Sequence, residues 1–204
     1  MRKITFLILS LLISCIFISC NKNTIFSSNQ LSPYTLNKKE ETIAKLISGQ
    51  DQYAIFHFNI DKKIKNLSIW IEGYNNGEKL NLNNYSCFSL NNPTGKISIN
   101  TNTSDNYQWN FSFADDENIA NYSFKTNNQF EIDSKYSKGY TKLLDPVKIS
   151  TDKEILLQAY LFKDTGSMSI YSTNEYLDNP EILTEFNYVY LVKCKFSDKD
   201  SALK

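Results

Sequence analysis

The chain has little glycine, little proline and almost no histidine: six, four and one among 204 residues. So few glycines leave no material for the loops that cradle nucleotide phosphates, and none of those patterns occurs. With His57 as the sole imidazole, any Ser-His-Asp or Cys-His arrangement would have to run through it. No Gly-x-Ser-x-Gly elbow marks a nucleophile. No apolar run reaches the ~20 residues needed to cross a bilayer. An excess of one charge is missing too, since 22 basic side chains face 22 acidic ones. That balance argues against nucleic acid as a partner and against a polybasic membrane-binding face.

What is present starts at the N-terminus. Arg2-Lys3 is followed by the apolar run Ile4 to Ile18 and then by Ser19-Cys20. A basic head and a short apolar core are the parts of a secretory signal. Phe17-Ile18-Ser19-Cys20 resembles the lipobox of bacterial lipoproteins, in which the cysteine is acylated and becomes the first residue. Phe17 stands where that box prefers Leu, a relaxed form familiar from spirochaete (Borrelia-type) lipoproteins. Leu12-Ile13-Ser14-Cys15 is the competing box; it would leave Ile16-Phe17-Ile18 beside the bilayer. A plain secretory cleavage near Ser19 is the third reading. Lipidation at Cys20 is the expectation, with a signal peptide over 1–19, a lipidated polar tether over 20–36 and one domain over 37–204. Without the leader, 20 basic residues face 22 acidic ones.

Two other cysteines remain, Cys87 and Cys194. In an exported domain they could form one disulfide, or stay as two buried thiols that behave as small hydrophobes. Cys194 shares a period-two face with Tyr188, Tyr190, Val192 and Phe196 and is expected to point inward.

The period of the pattern sets the fold class. Asn37 with Glu40 three residues on forms a capping box, Glu41 and Lys45 make an i,i+4 pair, and Ile43, Leu46 and Ile47 form one stripe. This predicts a short amphipathic helix, ended near Gly49 and packed on a sheet. From Tyr53 the period becomes two. Phe56, Phe58 and Ile60 alternate with Ile55, His57 and Asn59, and Tyr107, Trp109, Phe111 and Phe113 alternate with Gln108, Asn110 and Ser112. Asn75-Asn76-Gly77 predicts a hairpin turn. Further strands are predicted at 67–71, 85–90, 96–101, 122–126, 129–133, 146–150, 155–163, 167–172 and 187–196. Pro180 should open one helical turn. Many short strands with little helix predict a mainly β chain, an antiparallel β-sandwich or barrel. Asn118-Ile119-Ala120-Asn121-Tyr122 resembles the tyrosine corner of immunoglobulin-like domains, and that resemblance favours a sandwich.

Chemical motifs are sparse. His57, Cys87 and Cys194 contain no close ligand pair for zinc. Asp115-Asp116-Glu117 reads either as a Ca²⁺ loop or, with more weight, as the acidic first turn of a short helical segment. Ser150-Thr151-Asp152-Lys153 matches Ser-x-x-Lys by letter, but lies between predicted strands without a Lys-Thr-Gly companion and reads as a turn. No catalytic, metal or cofactor site is expected. Aromatic residues are abundant: Trp70 lies opposite the Leu67, Ile69 and Ile71 face, and Tyr74, Tyr136, Tyr140, Tyr171 and Tyr176 fall in or beside expected loops.

Taken with the Asn/Lys/Ile-rich composition, the leader and tether imply an outer-membrane lipoprotein held by its N-terminal lipid. The expected function is a non-enzymatic binding module at the cell surface that contacts host molecules. A periplasm-facing lipoprotein that supports envelope assembly is the alternative, and an envelope hydrolase a third.

Overall fold

The structure, a computed structural model, describes residues 28–48, 52–82, 84–102, 108–125 and 136–199. The leader, Cys15, Cys20 and the strand expected at 129–133 lie outside the described residues.

Strands β1 (Gln30–Pro33), β2 (Gln52–Asn59), β6 (Thr94–Asn102), β7 (Gln108–Ala114), β8 (Ile119–Lys125) and β10 (Val147–Lys148) make one antiparallel sheet in the order β10-β1-β2-β6-β7-β8. The second contains β3 (Asn66–Asn75), β12 (Tyr188–Ser197), β11 (Glu154–Lys163) and β9 (Ser137–Lys142) in that order. Both β4 (Glu78–Leu80) and β5 (Tyr85–Ser89) pair with the free side of β3. The chain is mainly β, and the two sheets pack face to face as a sandwich.

Alternation builds the core between them. Phe56 is registered opposite Ile97, which is opposite Phe113; Ala54, Ile99 and Phe111 form the next row. All six are buried against Leu67, Ile69, Val192 and Phe196 of the other sheet. The intervening residues Ile55, Ser98 and Ser112 face outward, because successive strand side chains point to opposite faces. Gly95 carries no side chain for a steric reason. A Cβ there would lie 2.5 Å from the Phe58 ring and 2.9 Å from the Ala114 carbonyl.

β11 reads as a continuous apolar run because both of its faces are covered. A bulge between Leu156 and Gln158 reverses its alternation, so Ile155 and Leu157 precede Tyr160 and Phe162 in the inter-sheet core. Leu156, Ala159 and Leu161 point outward with Val189 and Leu191 of β12. They are covered by helix α2 (Thr173–Asp178) and a 3₁₀ turn (Pro180–Glu185), through Tyr176, Leu183 and Phe186. A capping box starts α2: Ser172 accepts from the Glu175 N–H, and the Glu175 carboxylate accepts from the Ser172 N–H.

Several expectations are met in detail. Helix α1 (Lys38–Ser48) begins at Asn37, whose side chain accepts from Lys39 and Glu40 while Glu40 accepts from the Asn37 N–H. Asn76 and Gly77 both have positive φ, as a two-residue hairpin of this type requires. Pro180 opens the 3₁₀ turn.

Others need correction. Gln30–Pro33, read as tether, is a strand inside the first sheet with Leu31 fully buried. Residues 167–172 are not a strand but the lead into α2, and β4 and β9 were missed. Tyr122 sits in the middle of edge strand β8 rather than at a corner, its ring 6.0 Å from Phe124. Among the described residues, the two six-stranded sheets do not follow the four-plus-three immunoglobulin arrangement.

The Cys87–Cys194 disulfide is not formed, and both side chains are thiols. Cys194 is registered opposite Ile69 and points into the core, whereas Cys87 is opposite Ser68 on the outer face. With β3 between their strands they are ~9.6 Å apart across the sheet, beyond the reach of a bridge.

Candidate functional site on the outer face of the second sheet

The same alternation that sends Leu67, Ile69 and Ile71 of β3 inward turns Ser68, Trp70, Glu72 and Tyr74 outward. β12 brings Lys193 into register opposite Trp70 and Leu191 opposite Glu72. Helix α2 and the 3₁₀ turn cover one end of this face, and Tyr74 packs at the margin of that cover. Beyond it the face carries charge and aromatic rings.

Glu72 is the centre. One carboxylate oxygen takes Lys79 at 2.6 Å; the other takes Lys193 at 2.8 Å and the Tyr74 hydroxyl at 2.8 Å. The Trp70 indole N–H approaches at 3.5 Å. Lys193 is shared with Glu154 at 3.0 Å. Glu72 and Lys193 are each 8% exposed. Burial alone would raise the Glu72 pKa, but donation from Lys193, Lys79 and Tyr74 outweighs it and lowers the value to about 2. Burial first, and then the Glu72 charge, push the Tyr74 hydroxyl upward.

Chemically, a carboxylate with both oxygens engaged and so low a pKa is a fixed anion rather than a base near neutrality. Its effect is to hold Trp70, Tyr74, Lys79 and Lys193 in place. Trp70 in turn stacks on Tyr85 of β5, with ring centroids 6.3 Å apart and planes at 29°. Tyr85 is 55% exposed, and its hydroxyl is hydrogen-bonded to Ser68. The result is an aromatic ledge on a rigid ionic base.

The residues singled out by sequence lie elsewhere. His57 is half-buried on the outer face of the first sheet, registered between Ser32 of β1 and Lys96 of β6. Burial, and then the Lys96 charge, lower its pKa. Asp115 closes the β7–β8 turn by accepting from the Glu117 and Asn118 N–H groups. The segment is a bend that leads directly into β8, so the expected helical first turn is absent there. Ser150–Lys153 is a turn, closed from the Lys153 N–H to the Ser150 carbonyl at 3.2 Å. A cavity of about 50 Å³ lies where β1 and β2 meet the end of β9, between Tyr34, Tyr53, Phe56 and Lys142. It admits water, not an organic substrate.

Sequence reasoning passed over Glu72, Lys79, Glu154 and Lys193. The available signal was Lys193 itself, an ammonium in the middle of the apolar run Val189 to Phe196.

Residues 30–196 match the YgaN domain. The chain belongs to the YgaN domain family. No curated protein and no solved structure matches it. The YgaN domain thus runs from the first residue of β1 to the penultimate residue of β12. It takes in both sheets, the α2 cover and all of the Glu72 cluster, and leaves the leader and Cys20 outside.

Proposed function

We propose that this YgaN-domain chain is a lipid-anchored envelope lipoprotein that acts by binding, presenting the outer face of its second sheet to a protein partner. The observation that carries the reading is the Trp70–Tyr85 stack, exposed at Tyr85 and linked to the Glu72–Lys193 pair through the Trp70 indole N–H. Tyrosine and tryptophan contribute contact area at low entropic cost, and they anchor interfaces best when their neighbours hold them still. A carboxylate saturated by donors supports a non-enzymatic role.

Acyl chains on Cys20 would hold the domain to the membrane, each buried methylene contributing ~0.8 kcal/mol and two chains sufficing for stable anchorage. The ten residues from Cys20 to Gln30 span at most about 35 Å, which keeps the sandwich close to the lipid. The resemblance to spirochaete lipoproteins is what supports outer-membrane attachment and contact with host molecules.

Three measurements test this. Mass spectrometry of the mature N-terminus should find an acylated Cys20; an unmodified terminus, or acyl chains on Cys15, defeats the anchor. A photo-crosslinking residue at position 85 on intact cells should give a discrete adduct that Trp70→Ala removes. An adduct unchanged by Trp70→Ala defeats the ledge. Protease shaving of those cells should remove the protein, whereas protection would place it on the periplasmic side.

A further inference from the structure

Helix α1 turns two residues of its apolar stripe to solvent. The stripe of Ile43, Leu46 and Ile47 was expected to pack on the sheet, yet Ile43 is 57% and Leu46 80% exposed. The side turned inward is polar and small: Ser48 is buried, and Glu40, Glu41 and Ala44 are half-buried. Glu40 accepts from the Tyr34 hydroxyl at 3.2 Å and caps Asn37, and Glu41 holds Lys45 at 2.7 Å. Both acids are thus committed to the body side or to the helix itself. Lys38, Lys39, Thr42, Ile43 and Leu46 remain on the exposed side. At 100° per residue, Lys39 falls between Leu46 and Ile43.

We infer that this face docks α1 onto the anionic lipid surface to which the chain is tethered. The inference rests on the lipid anchor proposed above. Lys39 between two large apolar side chains and Lys38 beside them, with no acid among them, complement acidic headgroups. The apolar pair enters the headgroup boundary while the lysine stems snorkel to the phosphates. Reach permits it, since β1 begins within ten residues of Cys20 and α1 follows β1 by four residues. Need favours it as well. An 11-residue helix falls below the ~12–15 residues at which isolated helices become marginal in water. A surface on its apolar side supplies what the body does not. The anchor makes a weak contact sufficient, because the tether holds the helix at high effective concentration over the lipid. Docking would also fix the orientation of the sandwich over the membrane.

The test uses the mature lipidated protein reconstituted in phosphatidylglycerol and in phosphatidylcholine vesicles, read by flotation and by amide hydrogen exchange over 38–48. On phosphatidylglycerol these amides should exchange about tenfold more slowly in the native chain than in Ile43→Ser/Leu46→Ser, while both proteins float. Lys38→Gln/Lys39→Gln should abolish the preference for phosphatidylglycerol. Flotation with equal exchange in native and double-serine chains overturns the docking and spares the anchor. Failure to float overturns both. Protection that rises with protein density on the vesicle puts a second copy on this face and overturns the lipid assignment.

Discussion

The Lys193 ammonium lies 2.8 Å from a Glu72 carboxylate oxygen, with both side chains almost wholly withdrawn from water. β3 and β12 bring the pair together through a ten-residue antiparallel register running from Asn75–Tyr188 to Asn66–Ser197. Nothing local in either strand demands it. The cluster is a consequence of the pairing of the two strands.

Its energetics are separable. Lys193→Met leaves Glu72 buried with Lys79 and Tyr74 as its remaining donors, and should destabilise the domain by about 2–4 kcal/mol. The double substitution Glu72→Leu/Lys193→Met should recover most of that loss, since an apolar pair needs no solvation. Urea unfolding of the native chain, the two single variants and the double variant measures the coupling.

The same carboxylate sets an acid limit. The folded pKa of Glu72 is lowered from 4.5 to about 2, so the folded state binds its proton less readily than the unfolded chain. The stabilisation is complete above pH 4.5 and is lost as pH falls toward 2. A shift of this size corresponds to about 3 kcal/mol. The urea midpoint, followed between those pH values, should fall more steeply in the native chain than in Glu72→Gln.

Gly95→Ala should destabilise the first sheet. The new Cβ would meet the Phe58 ring at 2.5 Å and the Ala114 carbonyl oxygen at 2.9 Å, and the carbonyl belongs to the β6–β7 ladder and cannot swing away. Overpacking of this kind costs ~1–3 kcal/mol. Thermal unfolding reads it, and Phe58→Leu in the same chain should relieve only the ring's share.

Thiol chemistry should separate the two cysteines. Cys194 is fully buried, and burial pushes its thiol pKa upward, so it should stay unreactive toward a thiol reagent in the folded chain. Cys87, partly exposed on the outer face, should react first. Unfolding without reductant should release both thiols, whereas a bridged pair would release neither.

The parts legible in sequence are those fixed over a few residues. Trp109, Phe111 and Phe113 declare an inward face by alternation alone. Asn37 with Glu40, and Asn76-Gly77, each encode a backbone geometry that their own side chains or φ values enforce. Elements with weak local signals were missed. β1 is a four-residue strand ending in proline, and β9 is polar and contains Gly139; each exists because a neighbouring strand offers a ladder. The run 167–172 alternates like a strand, but it meets no ladder and leads into the Ser172 cap instead.

Of the candidate site, sequence supplied Trp70 as an outward aromatic and nothing of the ionic base beneath it. Period-two alternation, short-range caps and turns are written in neighbouring residues, so the amino-acid order alone determined a mainly β, antiparallel chain with one N-terminal helix. Which faces meet is different, because it depends on pairings between strands remote in the chain. The tertiary structure alone placed Cys87 and Cys194 on opposite sides of one sheet, gathered Glu72, Lys79, Glu154 and Lys193, and turned Ile43 and Leu46 of α1 toward solvent. Each is a compromise between burial and pairing that a strand or helix cannot settle without its neighbours.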